Sequence, residues 1–167
     1  AVGQPLGKYV QGRFYRGVLT GFNEAFVIDR DTRDRLIAED SKSADLIKPW
    51  LRGKDIRRWH ADYRELYVIF TRHGTDIDSY PAIRQHLQKF RKALEPKPSD
   101  YPPNKSWSGR KIGSYKWFEI QDNIAYHAEF EKPKIMYPVI GKEPRFLFCD
   151  EGRLSNDKSF IIPTNNI

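Results

Sequence analysis

The residues with the clearest chemistry lie between positions 95 and 116, EPKPSDYPPNKSWSGRKIGSYK. Tyr101, Trp107 and Tyr115 interleave there with Lys105, Arg110, Lys111 and Lys116. Cations neutralise phosphates, while planar rings and guanidinium forks suit sugars and bases. The pattern predicts a nucleic-acid surface. Lys105, Lys111 and Lys116 are expected on phosphates, where they set register without reading sequence. Arg110 is expected as a bidentate contact to guanine or as a clamp on phosphate. Trp107 either packs on a sugar or displaced base or anchors the loop as a core residue. Lys89 and Lys92, just upstream, extend the charge along the basic face of a helix.

The charge distribution points to the same stretch. The chain has 167 residues and a formal net charge of +7. Residues 1–83 carry 14 basic and 12 acidic residues, and residues 117–167 carry 6 and 8. Residues 84–116 carry 9 basic and 2 acidic residues, so the excess resides in this one block. Such a block attracts polyanions, although a solvated helix face followed by a loop has the same composition.

Catalytic patterns are missing. Each Gly-Lys pair (Gly7-Lys8, Gly53-Lys54, Gly141-Lys142) is followed by Tyr, Asp or Glu, not the Ser or Thr of a phosphate-binding loop. No Gly-x-Gly occurs, which removes the glycine turn of a dinucleotide or methyl-donor site. His60, His73, His86 and His127 lack metal-ligand spacing, and His86 falls on an inward helix face. Cys149, the only cysteine, lies in an aromatic strand and reads as a buried, inert thiol. Tyr101-Pro102-Pro103-Asn104 reverses the order in which an Asn and an aromatic ring would hold a flipped adenine. Asp40-Ser41-Lys42 lacks the acidic partner of a metal nuclease and reads as surface charge. The chain itself is therefore read as non-catalytic, with no metal site and no cofactor of its own.

The elements that position the basic stretch follow from pattern. Gly12–Ile28 reads as two short strands around a Thr20–Asn23 turn. Asp31-Thr32-Arg33 opens a helix with Leu36 and Ile37 inward, and Ser43 caps a second helix over 44–51 that Pro49 disturbs. Leu66–Thr71 is a strand buried on both faces. Pro81 starts a helix running to Leu94 with Ile83, His86, Leu87 and Phe90 inward. Strands are expected at 117–120, 134–140, 146–149 and 160–162, with a helical turn within 124–130. Without a βαβ rhythm, the class is α+β: a mixed sheet with short helices.

The length suits one domain spanning 1–167, and 39% hydrophobic residues suffice for a core. A single cysteine excludes an internal disulfide, and no apolar run approaches a membrane span. No secretory leader is visible, so the expected setting is reduced, soluble and cytoplasmic, with no membrane partner. With Ala at position 1 and the only Met at 136, the chain is expected to be a fragment of a longer protein.

Three segments in order carry a resemblance: GVLTGFNEAFVIDRDTRDRLI, then SADLIKPWLRGKDIRRW with LYVIFT, then YKWFEIQDN with FEKPKIMYP. Over about Gly12 to Ile162 the chain resembles the TaqI-like C-terminal specificity domain of N6-adenine-specific DNA methyltransferases and type IIG restriction–modification enzymes. The resemblance implies a target-recognition domain that reads double-stranded DNA sequence in phage defence. It also implies a prokaryotic, cytoplasmic parent whose N-terminal methyltransferase domain binds S-adenosylmethionine and partners this chain. That parent would be a site-specific adenine methyltransferase, with or without endonuclease activity. Gly17, Thr20, Gly21 and Asn23 match the family's opening hairpin, which the resemblance implies as backbone geometry rather than DNA contact. Within the matching RGKDI block, Arg52 reaches phosphate or pairs internally with Asp55. Lys132-Pro133-Lys134-Ile135 matches a late structural strand. The rival reading is a protein–protein assembly domain that does not read DNA.

Overall fold

The computed structural model describes residues 3–164. The helices are α1 (Leu6–Val10), α2 (Asn23–Phe26), α3 (Arg30–Glu39), α4 (Ser43–Leu46), α5 (Pro81–Gln88) and α6 (Arg91–Leu94). The strands are β1 (Tyr15–Arg16), β2 (Val27–Ile28), β3 (Ile47–Leu51), β4 (Leu66–Ile69), β5 (Lys134–Pro138), β6 (Leu147–Cys149), β7 (Leu154–Ser155) and β8 (Ser159–Pro163). The class is α+β, as expected. The described residues group into two compact units, each assembled from interleaved segments: 3–18, 51–64 and 125–164 in one, 19–50 and 65–124 in the other.

The first unit is built on an antiparallel sheet ordered β1-β8-β5-β6. Alternation along β5 turns Lys134 and Met136 inward, and Ile161 of β8 pairs with Met136. Phe130, Met136, Leu154 and Ile161 form its buried interior. Lys134 is also wholly buried. Its Nζ donates to the carbonyls of Phe130 (2.7 Å), Glu151 (2.6 Å) and Lys132 (3.4 Å). Burial lowers its pKa from the ordinary lysine value, the nearby Cys149 and Glu131 acting the other way. Cys149 is buried beside it, with Sγ directed at the Glu151 carbonyl (3.4 Å).

The second unit carries the basic stretch. Strand β4 is central and antiparallel to both β2 and β3, with Val27 opposite Val68 and Ile47 opposite Ile69. Helix α3 starts at Asp29, whose carboxylate accepts the Thr32 N–H (2.9 Å) and so satisfies one orphan donor of the first turn. Hydrogen bonding from Thr32, by its side chain first and by this N–H second, holds the Asp29 carboxyl below its ordinary pKa. Phe26, Leu36, Val68, Ile69, Ile83, Leu87, Leu94 and Ile120 make the core. Pro81 occupies the first turn of α5, where its missing N–H costs nothing.

Four expectations change. The 12–28 stretch is not a hairpin: β1 pairs with β8 and β2 with β4. The intended turn instead runs into α2, with Thr20 Oγ1 donating to Asn23 Oδ1 (2.7 Å). The helix expected over 44–51 spans Ser43–Leu46, with Ser43 as its first residue making no side-chain cap bond, and gives way to β3, because Pro49 cannot continue a helix but tolerates a strand position. The 81–94 helix is two pieces, broken at Lys89-Phe90, with Phe90 at ψ 9°. Residues 117–120 form turns rather than a strand. Their backbone is held by Thr71, whose hydroxyl donates to the Phe118 carbonyl (2.5 Å) and whose carbonyl accepts the Ile120 N–H (2.8 Å).

His86 gives this core a pH dependence. Its Nε2–H donates to the Ala25 carbonyl (3.1 Å), and its buried Nδ1 has no partner among the described residues. Desolvation lowers its pKa below the ordinary 6.5, and Lys89 and Arg35 push the same way. The unfolded chain therefore binds the proton first as pH falls. Stability contributed by neutral His86 is complete above pH 6.5 and is lost as pH drops below it. Urea titrations at pH 7.5 and 5.5 should show the midpoint falling with acid, with a smaller fall in His86→Gln.

Candidate nucleic-acid interface

The 95–116 loop is irregular but tightly fixed, and the fixing group is Arg110. Its side chain is buried, with 4% of the residue exposed. Nε donates to the Leu94 carbonyl (2.8 Å), and Nη1 to those of Thr20 (3.1 Å) and Glu119 (2.7 Å). Nη2 donates to those of Lys116 (3.1 Å) and Trp117 (3.0 Å). A guanidinium has five N–H donors, so all of them are engaged. The Tyr115 ring lies 4.3 Å from the guanidinium carbon and the Phe26 ring 5.6 Å. Burial lowers the Arg110 pKa to about 10, with Tyr115, Glu95 and Glu119 opposing that shift. It remains a cation at neutral pH, solvated by carbonyl dipoles.

The expectation that Arg110 grips guanine or phosphate is therefore corrected: its fork has no donor left and no access. Sequence could not distinguish a reading arginine from a scaffolding one, since both sit among aromatics and turns.

The neighbouring residues complete the frame. The Glu95 carbonyl accepts the Arg110 N–H (2.9 Å) and the Trp107 Nε1–H (3.2 Å). Trp107 also packs edge-on against Tyr101 at 4.9 Å, so of its two readings the structure displays the loop anchor. Gly109 is required by close approach, because a Cβ there would stand 2.2 Å from the Glu95 oxygen and 2.7 Å from Trp107 Nε1. Glu119, missed by sequence reasoning, is a buried clasp: Oε1 accepts the Gly74 N–H and Oε2 the Lys116 N–H, each at 2.8 Å. Gly21 adopts φ +83°, and a Cβ there would press on Gln121 and Arg110.

Lysines fare differently. Lys89, Lys92, Lys105, Lys111 and Lys116 are all exposed and make no ion pair among the described residues. Lys89 caps the end of α5 and Lys92 lies in α6, so they flank a helix break instead of lining one helix. The arginines of the same block are engaged internally. Arg84 pairs with Asp78 (3.2 Å), and Arg91 pairs with Glu95 (2.7 Å) while covering the Trp117 ring at 4.3 Å. In the other unit, Arg52 takes the internal alternative, donating from Nε (2.5 Å) and Nη2 (3.0 Å) to the two oxygens of Asp55. That bond raises the Arg52 pKa.

Removing the Arg110 side chain leaves five carbonyls without this donor. Arg110→Ala is expected to destabilise by at least about 3 kcal/mol, as measured by urea unfolding. Arg110→Lys should recover little, since one ammonium cannot reach acceptors arranged around a planar fork.

The chain from residue 48 to 167 matches the model of the TaqI-like C-terminal specificity domain. The type II methyltransferase M.MjaIV of Methanocaldococcus jannaschii is 28% identical over 157 residues, covering 90% of this chain and 49% of that protein. The chain thus spans about half the length of this curated relative. The fold is similar to part of the type IIL restriction–modification enzyme MmeI, solved in complex with DNA. That likeness has a TM-score of 0.56 at 16% identity, over 92% of this chain and 19% of MmeI. The chain belongs to the TaqI-like C-terminal specificity domain family.

Proposed function

We propose that this chain recognises a specific sequence in double-stranded DNA on behalf of a restriction–modification adenine methyltransferase. The catalytic, S-adenosylmethionine-binding domain lies outside it, in the N-terminal part of the same polypeptide. The observation that carries this reading is the family match over 48–167. The geometry supports it: a rigid loop holds Lys105, Lys111 and Lys116 in solvent, and Lys89 and Lys92 stand exposed on the preceding segment. These ammonium groups would neutralise phosphates and fix register on the duplex. The chain offers S-adenosylmethionine no glycine turn, since no Gly-x-Gly occurs in it. No methyl-transfer step is therefore assigned to its residues. Among the described residues, no helix is long and apolar enough to cross a membrane.

Each phosphate neutralised contributes about 0.9 to the slope of log affinity against log salt. Titration of duplex DNA at several salt concentrations should give a steep slope for the wild-type chain. Lys105→Ala/Lys111→Ala/Lys116→Ala should flatten that slope by about 2–3 while leaving the urea midpoint unchanged. An unaltered slope would remove these lysines from the interface.

A further inference from the structure

We infer that the hairpin tip Arg58-Trp59 is a second DNA contact, with the Trp59 ring wedged against the base stack and Arg58 on a flanking phosphate. This rests on the reading of the chain as a DNA-recognition domain and adds a contact site in the other unit. The segment follows the Gly53–Asp55 turn. Ile56 and Ala61 bridge as antiparallel partners, and the Arg57 N–H donates to the His60 carbonyl (2.9 Å). The Arg57 side chain closes the loop by donating to Asp62 Oδ2 (2.7 Å). Arg58 and Trp59 are thus the two tip residues of a tight turn.

Three observations on Trp59 point outward. It is 71% exposed, the largest exposed aromatic among the described residues. Its φ is +71°, in the left-handed region that glycine occupies readily and a bulky side chain does not. Its N–H is nonetheless tied to the Phe146 carbonyl (2.9 Å), which holds the backbone there. A large ring displayed at a strained, pinned position is better suited to a ligand than to packing.

The surrounding charge selects the ligand. Arg52 and Arg57 are paired with Asp55 and Asp62, so the scaffold neutralises itself. Arg58, Lys54 and Arg64 remain exposed. The Arg58 guanidinium lies 5.8 Å from the Trp59 ring centre. An exposed ring beside unspent cations is the combination that meets bases and phosphates together. Trp59 also borders an apolar groove lined by Leu6, Ile135, Phe146, Phe148 and Ile162. The lining residues of that groove carry no charge, whereas the cations at the tip complement phosphate.

The test uses this chain and a mixed-sequence DNA duplex. Glycine and asparagine both accept positive φ, so Trp59→Gly and Trp59→Asn should keep the wild-type urea midpoint or raise it. Each should weaken duplex binding by at least about fivefold with the salt slope intact, since a stacked ring carries no charge. Arg58→Ala should lower the slope by about 0.9. Wild-type tryptophan emission should be quenched by the duplex, and that quenching should largely disappear in Trp59→Gly at saturating DNA. Wild-type affinity and quenching in both Trp59 variants, alongside weakened binding by Lys105→Ala/Lys111→Ala/Lys116→Ala, would overturn the wedge and leave the domain reading standing. The same outcome is expected if the ring serves a protein partner in the groove. Absence of salt-dependent binding by the wild-type chain would overturn the domain reading, and the wedge with it.

Discussion

The second unit depends on one cation solvated by backbone. Arg110 donates to carbonyls from four places in the sequence: Thr20, Leu94, the Lys116-Trp117 pair and Glu119. These segments lie in turns and helix ends, and the Thr20 and Lys116 carbonyls also accept backbone N–H groups, from Gln121 (3.2 Å) and Glu119 (3.0 Å). An unpaired buried carbonyl is costly, and a desolvated guanidinium is more costly still. Placed together, each satisfies the other. Lys134 performs the same service on a smaller scale in the first unit, collecting the carbonyls of Phe130, Lys132 and Glu151. Both units therefore convert irregular backbone into fixed structure with a buried cation instead of a longer strand or helix.

This explains what the sequence made legible. Regular elements with strong apolar patterns stood out: β4 from its continuous apolar run, β5 and β8 from theirs, α5 from Pro81 and the inward spacing of Ile83, His86 and Leu87. The α+β class follows from their order. The failures are places where a distant partner decides the local shape. The 12–28 segment has strand composition, but its two halves find different partners, β8 and β4. Residues 117–120 have strand composition too, yet Thr71 and Arg110 occupy their backbone groups. Local propensity is a weak prior against such long-range hydrogen bonds.

The basic block shows a second limit, set by the difference between arginine and lysine. Counting charge treats them alike, whereas their physical chemistry does not. Arginine's planar fork and weaker hydration suit buried or stacked positions: Arg110 is spent on backbone and Arg91 on Glu95 and the Trp117 ring, while Arg84 makes only an exposed pair with Asp78. The lysines at positions 89, 92, 105, 111 and 116 stay in solvent, whereas Lys97 is half-buried with its ammonium 5.5 Å from the Tyr101 ring centre. Counting charge by segment singled out residues 84–116 but concealed their division into engaged arginines and exposed lysines.

That division separates a frame built on main-chain acceptors from a surface that carries the charge. Every acceptor of Arg110 is a main-chain carbonyl, and every residue type supplies one. The side chains at Lys116 and Trp117 can therefore be exchanged without removing a bond from the guanidinium. Gly109 and Gly21 are less replaceable, because they let the loop approach Glu95, Trp107 and Gln121 without a Cβ in the way. Lysines on phosphates contribute affinity that is the same for every sequence. The loop's frame also uses the side chains of Glu95, Tyr101, Trp107, Arg110 and Tyr115, so the side chains free of framing contacts are exposed ones such as Lys105 and Lys111.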